Sequence, residues 1–481
     1  MNEIAFTPTK FERENTTVIH GKQIQYDTIC GDYMVSNKDG DVVGTMFYYS
    51  YVRTDIENSS ARPVLFAFNG GPGSSAMWLH AGMLAPKTAK MDNPTEPQLV
   101  PPFEIENNPN CLLDLCDIVI IDPLGTGYSL VLDQEKAKGV YSIEQDARVF
   151  CEFIQHWIRE NKRWNSPKYV LGESYGTIRA CVLVNHLMGG PLSAGAVSSG
   201  ISLDGIVLMG TVLMVNPYPN NWDEHGVAEL ALDLPTMAAT NWYYMQGEKP
   251  DYYQFTEQAY QFVETELLRN LYRGNTMTRE EKNAFTRKLA YFTGLSEEYL
   301  CKNNYRVSLE AFSRELLADH GLEIGMYDGR FTLPLSQQMG DHDPVGDDSA
   351  MGLYAPVMRA AFMEIADKEL GIELDRDFSI INFNVNAKWQ FDEVKTPFQY
   401  LQSALRRNKD LRVLICNGVF DLVSTIGQAR YTAAHLESRK GQVIVKEYPS
   451  GHMSYVGEQS AKLLTEDIRR LINKEELESC Y

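Results

Sequence analysis

Tyr169-Val-Leu-Gly-Glu-Ser174-Tyr-Gly-Thr177 decides how the rest of this 481-residue chain is read. A short β-branched and aromatic run ends in Gly172-x-Ser174-x-Gly176 and passes into residues with a helical pattern. Glycine on both sides lets a strand turn sharply into a helix, with the serine held at a strained backbone position and its hydroxyl exposed. A serine so held is placed to attack a carbonyl carbon. Composition alone would produce on the order of 0.2 such patterns in a chain of this length. The plain alternative is a tight turn in an ordinary loop, so the neighbours must carry the decision.

Outward from this point the chain alternates buried-type strands with helices. Before it, Pro63-Val-Leu-Phe-Ala-Phe68 runs into Asn69-Gly-Gly-Pro-Gly-Ser-Ser75, and Asp117-Ile-Val-Ile-Ile121 runs into Asp122-Pro-Leu-Gly-Thr-Gly-Tyr-Ser129. From Ile143 towards Trp164 the period becomes helical, with Ala147, Phe150, Ile154, Trp157 and Ile158 on one face. Gly205-Ile-Val-Leu-Met209 is the next strand, and sheet signals return at 411–416 and 442–447. Uninterrupted apolar strands alternating with helices predict a parallel sheet covered on both faces, an α/β fold. The opening segments, 17–26 with a His-Gly-Lys turn and 44–52, predict an antiparallel meander. Residues 216–384 read as charged helical pattern, so the expected organisation is a core of 1–215 and 385–481 interrupted by a helical lid over 216–384.

A serine nucleophile needs a base to take its proton and an acid to orient that base. In such a sheet the acid and then the histidine should each follow a strand. Asp421 follows 411–416 through Asn417-Gly-Val-Phe, and His452 follows 442–447 through Tyr448-Pro-Ser-Gly451. His20, His80, His156, His186, His225, His320, His342 and His435 fit less well and read as surface or satisfied residues. Asp410 precedes its strand and would emerge at the wrong end of the sheet. The oxyanion needs backbone N–H donors converging on one point; the candidates are Tyr175, next to the serine, and Gly71 of the 69–73 loop. That loop lacks the spacing of a phosphate cradle.

These motifs, with Gly451-His-Met453, follow the order seen in serine carboxypeptidases, and the chain resembles that family, peptidase family S10, on the α/β-hydrolase fold. The resemblance spans residues 69–453. It implies release of single residues from peptide C-termini with Ser174, Asp421 and His452 as the triad, under an inserted helical lid. It also implies that Asn69, Gly70 and Glu173 bind the substrate's terminal carboxylate. A glutamate beside a carboxylate must hold a proton to donate, because two like charges that close disfavour ionisation; acidic working conditions follow. Three departures stand out. Ser74 and Ala67 replace the usual cysteine and tryptophan, and Met83 falls where a second glutamate is common. They suggest a leaderless bacterial branch.

Bulk properties bound the function classes. With 44 Lys+Arg against 64 Asp+Glu, the formal charge of -20 argues against a nucleic-acid partner. Apolar runs are strand-sized, too short for a membrane span, and Met1-Asn-Glu-Ile-Ala-Phe-Thr-Pro8 has no secretory pattern. Eight scattered cysteines without a CxxC pair read as reduced thiols in a cytoplasmic protein. No metal or cofactor is expected. Asp341-His-Asp343 has hard ligands but reads as a solvated loop. The rivals are an esterase or acyltransferase using the same acyl-enzyme, or a binding protein that kept the cleft. Trp78 and Trp242-Tyr-Tyr244 are candidates for lining the pocket.

Overall fold

The computed structural model describes residues 6–91, 93–98, 100–189, 199–213, 227–335, 348–391 and 396–481. Nine strands build its main sheet: β1 Lys10–Ile19, β2 Lys22–Ser36, β3 Val42–Arg53, β4 Val64–Phe68, β5 Asp117–Ile121, β6 Lys168–Glu173, β7 Gly205–Met209, β8 Arg412–Gly418 and β9 Val443–Tyr448. Their spatial order is β1-β2-β3-β5-β4-β6-β7-β8-β9. The first three form an antiparallel meander that joins β5 antiparallel through Tyr48↔Ile121. From β5 to β9 every pairing is parallel, which the uninterrupted apolar runs anticipated.

Alternation along the strands sorts side chains between two cores. Val64, Phe66, Phe68, Val170, Ile206 and Val413 face helices α1 Ile143–Glu160, α2 Tyr175–Met188 and α5 Pro397–Arg407. Leu65, Ala67, Leu171, Val207 and Leu414 face helices α4 Ser349–Lys368 and α6 Glu458–Ile472. The apolar face expected on α1 is buried as read, but the helix stops at Glu160, and Lys162 turns to φ 56° before Trp164.

Within the span expected as a lid, the described residues fall into two packing groups. Residues between 230 and 326 build a separate core around Phe255, Phe262, Phe285, Phe292 and Phe312, which helix α3 Val227–Tyr244 joins through Leu230, Leu234 and Met237. Helix α4 and the chain as far as Phe378 instead pack on the main sheet, through Tyr354, Met358, Phe362 and Ile365. Residues 216–226 and the 336–347 part of the loop, with Asp341, His342 and Asp343, lie outside the described residues, as does His225.

Register places the ends of the parallel strands level. Phe68 pairs with Gly172, Glu173 with Met209, Cys416 with Met209, and Gly418 with Tyr448. The loops after β4, β6, β8 and β9 therefore open on one edge, where open α/β sheets bind ligands.

Candidate active site

Ser174 sits between β6 and α2 with φ 59° and ψ −128°. A left-handed φ at a non-glycine costs about 1–3 kcal/mol and persists only where the surroundings impose it. They do so here: Ser174 N–H donates to Met209 O at 2.8 Å, and Thr177 returns its N–H (2.8 Å) and Oγ1 (2.7 Å) to the Ser174 carbonyl. A Cβ on Gly172 would run into the Gly176 carbonyl, so the turn requires glycine there.

Asp421 and His452 meet across the ends of β8 and β9. His452 Nδ1 lies 2.8 Å from Asp421 Oδ2. The other donors to Asp421 are Val423 N–H (2.8 Å), Ser424 N–H (3.0 Å) and the Ser424 hydroxyl, which also lies 3.2 Å from His452 Nδ1. Donation from Nδ1 to the carboxylate fixes the imidazole with Nε2 free to accept a proton. Nε2 is buried and has no hydrogen-bond partner among the described residues. The ring is held from above: His452 N–H donates to Tyr327 O at 2.7 Å, and the Tyr327 ring stands edge-on at 5.1 Å. Burial works to lower the His452 pKa, but the charge and hydrogen bond of Asp421, with Glu173 and Asp348 nearby, leave it above its ordinary value.

The loop after β4 lies against the start of α2. Gly70 touches the Tyr175 nitrogen so closely that a side chain at 70 has no room. Gly71 takes φ 103°. Arg179 on α2, fully buried and paired with Asp146 of α1 at 2.6 Å, donates to the Asn69 carbonyl at 2.6 Å. That contact ties the loop to the elbow helix. Asp122, after β5, accepts from Ala76 N–H and Tyr49 Oη at 2.7 Å each and braces the loop's far end.

Asn69 Nδ2 donates to Glu173 Oε2. The Tyr455 hydroxyl reaches the same carboxyl, 3.3 Å from Oε1 and 3.2 Å from Oε2. Burial pushes Glu173 up to about 7, against the His452 charge and the hydrogen bonds from Tyr455 and Asn69, while Asp421 adds to the rise. A carboxyl poised there gains and loses a proton near neutrality.

One cleft of about 380 Å³ gathers Asn69, Gly70, Gly71, Glu173, Ser174 and His452, with Trp78, Tyr327, Met351 and Phe383 among its walls. Tyr175 begins α2 beside it and Asp421 lies behind His452. Asp410 is exposed and paired with Lys409. Trp242 and Tyr244 pack on the separate core, and Tyr243 on Phe420. Ser74 is buried and accepts from Trp78 Nε1 at 3.2 Å. Met83 is buried. Sequence reasoning did not single out Ser424, Arg179, Tyr327 or Tyr455. Ser424 and Tyr455, each three residues past a named site residue, carried a local signal; Arg179 and Tyr327 carried none.

Comparison with known proteins follows the same line. The family model described as serine carboxypeptidase matches residues 30–463. No curated protein sequence matches the chain. Among solved structures, the prohormone-processing carboxypeptidase Kex1(delta)p from Saccharomyces cerevisiae is similar with a TM-score of 0.55 and 13% identity, over 93% of this chain and 91% of that one. That likeness speaks to the fold. A thermophilic esterase from Thermogutta terrifontis matches at a TM-score of 0.37 and 12% identity, over 93% and 99% of the two chains. A thermostable carboxyl esterase from Bacillus coagulans matches at 0.37 and 11%, over 92% and 97%.

Proposed function

Because the chain belongs to the serine carboxypeptidase family, we propose that it releases single residues from the free C-termini of peptides through an acyl-enzyme on Ser174. The observation that carries this reading is the gathering of Ser174 and His452 with Asn69 and Glu173 in one cleft. His452 Nε2 takes the Ser174 Oγ proton as Oγ attacks the peptide carbonyl, and Asp421 holds the imidazolium that forms. The oxyanion is met by the N–H groups of Gly71 and Tyr175. His452 then passes its proton to the leaving amine, which departs as the free residue. Water, deprotonated by His452, attacks the acyl carbon and restores Ser174.

Protonated Glu173, with Asn69 and Gly70, holds the substrate's terminal carboxylate. The proton matters because two facing carboxylates repel. Protonating Glu173 also removes one of the charges that raise His452, so the form that binds substrate helps keep the base neutral. Residues 227–326 have their own core and lead into Tyr327, which fixes His452 and with Met351 and Phe383 walls the cleft. The eight free cysteines support a reducing, cytoplasmic setting. Among the described residues no helix is long and apolar enough to cross a membrane.

The test is hydrolysis of an N-blocked dipeptide against its C-terminal amide. A preference for the acid of roughly 10-fold or more in kcat/KM is expected, since a buried hydrogen bond to a charge is worth about 1.5–3 kcal/mol. Equal efficiency on both would remove the carboxypeptidase reading.

A further inference from the structure

Glu173 has two side-chain donors, Asn69 and Tyr455. Tyr455 is buried, three residues beyond His452, and its ring rests over Gly82. A Cβ at position 82 would lie 2.5 Å from Tyr455 Cε2 and 2.9 Å from Met358 Cε. Gly82 does not take a positive φ, so glycine there supplies room for the ring. The adjacent Met83 lines a small cavity of about 70 Å³, bordered also by Tyr455, Thr88, Asn108 and Thr465. Position 83 therefore brings no carboxyl to Glu173; the group that reaches it is the phenol.

We propose that Tyr455 is a positioning residue for terminal-carboxylate recognition. Its hydroxyl, donating to the Glu173 carboxyl, sets the pH above which a substrate's free end is no longer held. The proposal rests on Asn69 and Glu173 being the carboxylate site. A phenol O–H bonds a carboxylate anion more strongly than the neutral acid, so it favours release of the Glu173 proton. Burial acts in the opposite direction and prevails. His452 favours the anion and Asp421 opposes it. The Tyr327 and Tyr354 phenols are raised by burial and stay neutral. Asp348 acts on His452. Tyr455 is itself raised well above its ordinary value, by burial first and then by Glu173, and remains a donor throughout.

Tyr455→Phe removes one oxygen and keeps the ring over Gly82. With a blocked dipeptide acid, the pH at which KM starts to climb should move up by roughly one unit. At pH 8 the variant should then bind the acid several-fold better than the native enzyme, with the change larger in KM than in kcat. In a Glu173→Gln background the same substitution should leave the KM–pH profile flat. A structural role alone would weaken binding at every pH. That result, an unmoved midpoint, or a shift that persists with Glu173→Gln would overturn the proposal. Thermal unfolding and fluorophosphonate labelling of Ser174 show whether the variant keeps its fold. Should it not, 3-fluorotyrosine at 455, a stronger donor, replaces it; its midpoint should fall, and an unchanged or higher one would overturn the proposal. The two failures are distinct. Equal hydrolysis of acid and amide by the native enzyme removes the carboxypeptidase reading, whereas an unmoved midpoint in an enzyme that prefers the acid removes only the role of Tyr455.

Discussion

Asp421 and Glu173 are both buried carboxylates on the same edge of one sheet, and both act on His452. Asp421 accepts from two backbone N–H groups, the Ser424 hydroxyl and His452 Nδ1. Glu173 accepts from two side chains, and burial leaves it titrating at about 7. The backbone donors to Asp421 are fixed by the fold and hold its carboxyl in one orientation towards His452. At Glu173 burial outweighs the hydrogen bonds from Tyr455 and Asn69, so the carboxyl exchanges its proton near neutrality. In the proposed mechanism the same functional group serves two purposes, an orienter for the base at Asp421 and a switchable contact for a substrate's end at Glu173.

Substituting the orienter should produce the larger effect. Asp421→Asn loses the charge that holds the imidazolium and allows the wrong tautomer, so kcat should fall about 10⁴-fold with KM for the acid substrate nearly unchanged. Steady-state kinetics at pH 6.5 check this. A comparable rise in KM would erase the contrast with Glu173.

The second effect belongs to the switch. In the proposed function protonated Glu173 is the binding form, and its fraction falls as pH rises through about 7. KM for the acid should therefore climb roughly tenfold per unit above that point, while KM for the amide stays level. Glu173→Gln carries a donor at every pH and should flatten the acid profile. At the acid limb, kcat should fall as His452 takes up a proton, at a pH above that of an ordinary histidine. An acid profile that is level from pH 6 to 9 in the native enzyme would show that Glu173 does not meet the substrate.

Ser424→Ala should give the smallest change. It removes one hydroxyl donor and leaves the backbone pair on Asp421, so denaturant unfolding should report a loss of about 1–2 kcal/mol. A much greater loss would mean that the hydroxyl, and not the backbone, carries the Asp421 site.

Much of this arrangement was legible in the chain. Runs such as 64–68, 118–121 and 205–209 are apolar without a break because both faces of their sheet are covered. Asp421 and His452 could be paired with Ser174 because each follows a strand, and parallel strands deliver the loops after them to one edge. The packing of the span between 216 and 384 was not legible. Helix α4 and the helices between 227 and 326 share the same period, yet one packs on the sheet and the others on one another. Periodicity marks a buried face without naming what covers it.

Sequence by itself determined the strand-to-helix turn at Ser174, the glutamate beside it, and the strands that Asp421 and His452 each follow, because these depend on neighbours along the chain. Tertiary structure decided what surrounds Glu173. The Tyr455 phenol, 282 residues on, and the open place left by Gly82 come together only when β6, the loop after β9 and the helical segment 77–84 are packed side by side. A carboxyl's proton affinity is set by how deeply it is buried and by which donors and charges surround it in space, and that depends on the closed fold.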